Sequence, residues 1–432
     1  MLRFWRVQRE REVTNGPSES RGETRAEGRG LTRGALLAGA GGLLLGGAAG
    51  YGAAVLADDD EVAAPAVDEQ APALPSGKSR GDYIFHGDSP WLLETRRERF
   101  GTAYLTASSL MFVRQNLDLP DERVVARQDE WTVSFEGVAE PRELTVAELK
   151  QIGVESITCV VQCSGNGRGY FEHDPSGTPW RVGAIANVMW TGVPVRAVVE
   201  RLGGPSGGTR FLTATGGEEL PPDVPEREAV VERSIPIEKA LEDTLLAWEM
   251  NGAPVPLAHG GPLRLIVPGY WGVNNVKFVK RVAFARAESD ADIMRTGYRV
   301  RPIGVEADPS QPTMWGMNVK SFVTSPAPDT RLPAGQVRVF GVAFAGENDI
   351  RRVEVSSDGG QTWNDAAFYG PSLGAAAWRR FTYAFDATPG QYTLASRATD
   401  SAGNTQPELR QENESGYAHN GWRDPAVKLV VT

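Results

Sequence analysis

Cys163 ends an apolar run, Ile157–Cys163 (ITCVVQC), and is followed at once by Ser164-Gly165-Asn166-Gly167-Arg168-Gly169. A strand that delivers a thiol into a glycine-rich turn carrying an arginine is equipped for chemistry. Glycines let the backbone approach something bulky. The arginine offers a planar positive fork for an oxyanion. A nearby positive charge also favours the thiolate, the form that binds metal. On spacing alone, a lone cysteine at a strand end is more often a small buried hydrophobe, and the residues by themselves leave both readings open. Cys159 lies four residues earlier, roughly 13 Å away along one strand and beyond disulfide reach. With two cysteines and four scattered histidines (His86, His173, His259, His419), no zinc or iron–sulfur ligand set is visible. A metal held by Cys163 would draw most of its ligands from a non-protein group.

The segment Gln162–Arg168 (QCSGNGR) resembles the cysteine motif Cys-Ala-Gly-Asn-x-Arg of the sulfite oxidase family of molybdenum enzymes. Three further segments match that family in the same order: Met111–Pro120 (MFVRQNLDLP), Pro179–Trp190 (PWRVGAIANVMW) and Ile237–Val282, which holds LLAWEMNGAPVP, HGGPLRLIVPGYWG and VNNVKFVKRV. The resemblance runs from about Gly81 to the C-terminus, and four ordered motifs make it specific. It implies that Cys163 ligates molybdenum as a thiolate, the other ligands being a pterin dithiolene and oxo groups. The chemistry would then belong to the molybdenum–molybdopterin group, and the protein would position it and tune the charge around it. The resemblance favours plain molybdopterin over a dinucleotide form.

The resemblance also assigns residues. Arg114 and Arg168 match the family's anion-pocket arginines, although the ordinary fate of an arginine is a surface salt bridge. Trp180 matches a pocket tryptophan whose indole N–H can donate to substrate; the plain alternative is a core aromatic. Tyr298 stands where the family has a catalytic tyrosine that assists proton transfer. Gln115 and Asn116 fall in the cofactor-contacting loop. His259, Arg264, Asn275 and Lys277 match the residues that hold the pterin phosphate. Three departures stand out. The family's Arg-Asn-His is Arg114-Gln115-Asn116 here, so an amide replaces an imidazole. Thr215-Gly216-Gly217-Glu218 stands where a pterin-contacting aspartate is expected. Asn420, in Ala418-His419-Asn420-Gly421, stands at the expected place of a further pocket arginine, which points toward a less charged substrate than sulfite.

The elements that must position these residues follow from pattern. Trp131–Gly137 alternates and predicts a strand. Thr145-Val146-Ala147-Glu148 has capping-box spacing and predicts a short helix ending near Gly153. Val154–Cys163 predicts a buried strand. Pro194–Leu202 has helical spacing, and Arg264–Val267 and Val276–Ala285 predict strands. Beyond Ala307, Leu332–Gly346, Ile350–Val355 and Trp378–Phe385 predict short strands separated by turns, with Trp363 and Trp378 as core aromatics. This is the pattern of an immunoglobulin-type sandwich. The fold class is α+β: a mixed α/β molybdopterin-binding domain over 81–306, then an all-β sandwich over 307–432. In the family such a sandwich forms the dimer contact, which implies a homodimer.

The chain has 432 residues and a net charge of −10, which argues against a nucleic-acid partner. Gly34–Ala57 carries no charge; Arg25, Arg29 and Arg33 precede it and Asp58-Asp59-Asp60 follow. That asymmetry orients the C-terminal side outward. Leu31–Leu37 (LTRGALL) resembles a twin-arginine export signal with Gly34 in place of the second arginine. Residues 1–57 therefore read as an export signal or membrane anchor, and 58–80 as an acidic Ala/Pro-rich linker. No haem motif is visible, so electrons would pass to a separate cytochrome-type protein or a membrane redox subunit. The leading expectation is oxidation of sulfite, a small oxyanion, to sulfate outside the cytoplasmic membrane. The alternatives are a reductase of S-oxides or N-oxides and a metal-free binding protein on the same fold.

Overall fold

The computed structural model of the chain describes residues 73–432. The segment read as signal or anchor lies outside the described residues. Among these, no helix is long and apolar enough to cross a membrane.

The strand Glu155–Gln162 becomes progressively more buried along its length, from two exposed residues to four buried ones. It therefore drives Cys163 from the surface into the interior. It pairs antiparallel with Ile185–Pro194 over eight residues. That strand pairs in turn with Leu245–Met250, which also takes Arg264–Ile266 at its other edge. A second sheet has the order Arg142–Thr145, Thr132–Glu136, Val279–Ala285, Phe211–Gly216, Glu232–Pro236, with the Thr132–Glu136 and Val279–Ala285 pair parallel. A small antiparallel sheet, Tyr83–Asp88, Trp91–Thr95 and Val113–Arg114, carries the first arginine. Helices are short. Val146–Lys150 forms as its capping box dictates, with Glu148 N–H on Thr145 Oγ1 at 3.1 Å and Thr145 N–H on Glu148 Oε2 at 2.7 Å. Val276–Ala285 begins as a strand only at Val279, because Phe278 takes φ +51° and breaks the extended run.

The C-terminal region is a sandwich of a four-stranded and a five-stranded sheet. Val337, Val339 and Ala343 point into its core, against Val353, Val355, Phe381, Leu394 and Leu429. The two tryptophans expected in that core lie elsewhere. Trp363 is half-buried at the edge, packed on Trp422 and under the Arg397 guanidinium. Trp378 is buried with Phe100, Phe322, Val342 and Phe344 against Val160 and Ile185 of the cysteine-bearing sheet. This cluster joins sandwich to catalytic region, and truncating one of its aromatics to alanine costs about 3–5 kcal/mol. The stretch assigned to the linker is also packed from Leu74 onward, since Leu74 packs against the buried cluster of Tyr83, Leu93, Val113 and Ala258.

Candidate active site

The chain leaves the strand at Cys163 in a braced turn. Cys163 N–H donates to the Ala184 carbonyl at 2.9 Å, and its own carbonyl accepts from Asn166 N–H at 2.9 Å. The Asn166 amide donates to Gln162 Oε1 at 3.0 Å and to the Val182 carbonyl at 3.3 Å, while its oxygen accepts from Ala184 N–H at 3.1 Å. Two glycines make the turn possible. A Cβ on Gly165 would sit 2.6 Å from the Arg168 guanidinium, and Gly167, at φ +106°, would put one 2.3 Å from the His419 ring. The bulky groups approached by the glycine-rich loop are thus the protein's own.

A cleft opens beside Cys163 and is lined by Arg114, Gln115, Asn116, His259, Arg264, Asn275, Lys277 and Tyr298, together with Ser164 and Glu218. Lys277 Nζ donates to the carbonyls of Arg114 (3.1 Å) and Ala258 (2.8 Å), tying two walls together. The Gln115 amide reaches the Ala258 carbonyl at 2.7 Å. Arg264 donates to the carbonyls of His259 (2.8 Å) and Asn275 (3.2 Å). Asn275 fixes the turn below through its oxygen on Val267 N–H at 2.9 Å.

Arg168 and Trp180 do not line this cleft. Arg168 is buried, with Nε on the Ser415 carbonyl (2.9 Å), Nη1 on the Thr178 carbonyl (3.1 Å) and its plane 5.2 Å from the Tyr417 ring centroid. Its Nη2 has no partner among the described residues. Trp180 is a core side chain, fully buried with Met111, Phe112, Cys159 and Trp190. The buried Glu94 carboxylate accepts from Arg181 N–H at 3.0 Å, Gly183 N–H at 2.8 Å and His86 Nε2 at 2.8 Å. That tether draws the loop inward, and the His86 ring meets Trp180 edge-on at 4.9 Å. Asn420 also turns away, its amide donating to the Val319 carbonyl at 3.2 Å.

Tyr417 was not legible in the sequence. Its ring stacks on Tyr298 at 5.3 Å with an interplanar angle of 10°. Burial pushes its phenol up, and Tyr298, Arg168, Arg114 and Cys163 are all near enough to act on its charge. Tyr298 itself sits at φ +47°, a conformation rare for a bulky residue. Arg233, fully buried with no carboxylate partner among the described residues, lies 5.7 Å from the Tyr298 centroid and donates to the Ile293 carbonyl at 2.7 Å. An arginine lying between Val230-Val231 and Ile235 was the available signal for it.

The residues present fit a polar, anionic ligand. Arg114 Nη1, Ser164 Oγ, Glu218 Oε2 and His259 Nε2 are buried without a hydrogen-bond partner among the described residues, and all four belong to cleft-lining residues. Each such atom costs about 1–3 kcal/mol unless something pairs with it. Burial, then neighbouring cations, push His259 and Lys277 well below their usual ranges. Burial pulls Arg264 down to about 10 and pushes the Glu218 carboxyl up to about 7. A ring of cations that depress one another is relieved by an anion between them.

The sandwich reaches this site through Lys320. Its ammonium is buried and donates to the Asn166 carbonyl at 3.2 Å, inside the cysteine turn. Burial lowers it from 10.5 to about 7. The unfolded chain therefore binds more protons than the folded one between about pH 7 and 10.5, so Lys320 costs stability at low pH and the cost fades as pH rises. Lys320→Met removes that cost along with one hydrogen bond of about 1 kcal/mol. The melting temperature of the variant minus that of the wild type should fall steadily from pH 7 to pH 10. A difference independent of pH would mean that Lys320 stays protonated in the fold as it does in the unfolded chain.

These features define a molybdopterin-binding oxidoreductase with a separate dimerisation module. Residues 119–293 match the oxidoreductase molybdopterin binding domain, and 311–429 match the Mo-co oxidoreductase dimerisation domain, which supports a homodimer. The chain belongs to the sulfite oxidase family. It is 30% identical over 377 residues to sulfite oxidase of Gallus gallus, covering 83% of this chain and 80% of that one. It is 30% identical over 349 residues to nitrate reductase [NAD(P)H] of Hordeum vulgare, covering 74% of this chain and 38% of that one. Its fold matches the crystal structure of the sulfane dehydrogenase SoxCD from Paracoccus pantotrophus with a TM-score of 0.68 at 25% identity, over 85% of this chain and 96% of that one. The chain spans 60% of the length of the mitochondrial sulfite oxidase of Drosophila melanogaster.

Proposed function

We propose that this oxidoreductase converts sulfite to sulfate and passes the electrons to an external cytochrome-type acceptor. The observation that carries the reading is the unpaired, buried Arg114 Nη1 in the cleft that Cys163 lines, with Arg168 close by across Tyr417. Two of the similar proteins bear the names of reduced-sulfur substrates, sulfite and sulfane. Cys163 would hold the metal, while Gln115, Asn116, His259, Arg264, Asn275, Lys277 and Glu218 would hold the pterin and its phosphate. Bound there, molybdenum–molybdopterin supplies two-electron oxygen-atom transfer. The chain's own residues do the rest. Arg114 Nη1 orients the oxyanion by a charge-assisted hydrogen bond, and Arg168 adds its positive charge from across Tyr417. The Tyr298 phenol, held by the stack on Tyr417, is placed to carry a proton at the reacting oxygen. Sulfite and water give sulfate, two protons and two electrons, and the electrons leave to the acceptor. We place the domain outside the cytoplasmic membrane on the charge asymmetry around Gly34–Ala57.

A second reading, reduction of S-oxides or N-oxides with electrons from a membrane donor, is favoured by the Tyr298 phenol, which lines the cleft and makes that side polar without adding a positive charge. Protein from a host that makes molybdopterin should contain near-stoichiometric molybdenum and reduce ferricyanide when given sulfite. Metal without sulfite turnover, combined with oxidation of a reduced viologen by an S-oxide, would transfer the assignment to the reductase.

A further inference from the structure

The segment Leu74–Asp82 precedes the region that the family resemblance covers, yet it packs on the back of the cleft. Leu74 packs against the buried cluster that holds Val113 and Ala258, the residues immediately before Arg114 and His259. The segment thus covers a cluster that borders two parts of the proposed cofactor site. The segment is folded locally, with Lys78 N–H on the Pro75 carbonyl at 3.2 Å and Asp82 N–H on the Ser79 carbonyl at 3.1 Å. Arg99 anchors its end through Asp82 at 2.9 Å.

Lys78 carries the segment's charge inward. Its ammonium donates to the carbonyls of Met111 (2.8 Å) and Ser108 (3.2 Å) and to the Tyr83 hydroxyl (3.0 Å). Met111 lines the cleft, and Lys78 lies near enough to the His259 ring, whose Nε2 is unpaired, to act on its charge. Lys78, His259, Arg264, Lys277 and Arg114 gather at this side of the molecule, and Glu218 is the acidic residue among the cleft-lining ones. Burial holds Lys78 down to about 7, and Lys78 lowers both His259 and Lys277 in turn. An arrangement of cations that repel one another, with the ammonium's donors spent on backbone carbonyls and the Tyr83 hydroxyl, suits a dianion held in front of them rather than contact with Lys78 itself.

We propose that Leu74–Asp82 is a strap that retains the cofactor, with Lys78 as a positioning residue whose charge favours the pterin's phosphate end. The proposal rests on the reading of the cleft as the molybdopterin site. Its test measures molybdenum per chain, and pterin fluorescence released after denaturation, in wild type, Lys78→Gln and Leu74→Ala during extended dialysis. Glutamine can still donate to the carbonyls of Met111 and Ser108 but carries no charge. Lys78→Gln should keep the melting temperature of the cofactor-free protein and lose pterin about tenfold faster than wild type, the effect of one nearby charge on a dianion. Leu74→Ala should also lose pterin faster. Unchanged retention in Lys78→Gln would overturn the role of the charge. Should that variant fail to fold, trypsin cleavage at Lys78 and Arg80 in the wild-type chain decides: slow when loaded and several-fold faster once stripped is expected, and equal rates overturn the strap. Wild type that carries no pterin at all would instead remove the reading beneath the proposal.

Discussion

Cys163→Ser is expected to abolish turnover, to below about one-thousandth of wild type or more than 4 kcal/mol of transition-state stabilisation, and to lose molybdenum, while the fold remains. In the proposed reading the thiolate is the protein's bond to the metal, and a serine hydroxyl does not ionise to replace it near neutral pH. The turn itself does not depend on the sulfur. It is held by the Cys163 backbone on Ala184 and Asn166 and by the Asn166 side chain on Gln162 and Val182. Melting should therefore shift little, within the range of about 0.5 kcal/mol that partly exposed substitutions show. Cys159→Ser provides the contrast. Cys159 is fully buried, and burial pushes its thiol up to about 12. A hydroxyl there has no ready partner and costs about 1–3 kcal/mol, but molybdenum content should stay. Retained turnover in Cys163→Ser would remove molybdenum chemistry from this chain.

Much of the site was legible because its residues sit at strand ends and turns whose sequence is constrained. The apolar run before Cys163 and the capping box at Thr145 specify their elements locally. The cations His259, Arg264 and Lys277 fall within one short stretch of chain, so their convergence follows from adjacency. What was not legible depends on contacts between distant segments. Trp180 is drawn into the core by Glu94, far earlier in the chain. Tyr417 reaches Tyr298 and Arg168 only because Ser415 accepts from Arg168. Asn420 shares that segment with Tyr417 but projects to Val319. Restoring an arginine at position 420 would therefore not supply the cation that the sequence comparison suggested was missing. Lys78 fell in a stretch whose composition reads as linker, and nothing local marks its ammonium as buried.

Arg168→Gln should raise the Michaelis constant for sulfite about tenfold with molybdenum retained, the loss of one nearby positive charge, about 1.4 kcal/mol. The structure adds a competing explanation that the experiment must separate. Arg168 also holds the carbonyls of Thr178 and Ser415 and stacks on Tyr417, so its removal could act by loosening the loop that carries Tyr417. Arg168→Lys distinguishes the two. Lysine keeps the charge but lacks the planar fork needed to satisfy both carbonyls and the aromatic face together. If the charge at the oxyanion dominates, Arg168→Lys recovers most of the Michaelis constant, and the constant of the wild type rises with ionic strength. If the loop dominates, Lys and Gln lower the melting temperature alike, and kcat falls with the Michaelis constant unchanged. Arg114→Gln supplies the reference, because Arg114 lines the cleft and its Nη1 is unpaired. Its effect on the Michaelis constant should be at least as large, with a smaller change in melting temperature. A Michaelis constant unmoved in both glutamine variants would show that the oxyanion binds elsewhere and that the substrate is not recognised by this pair.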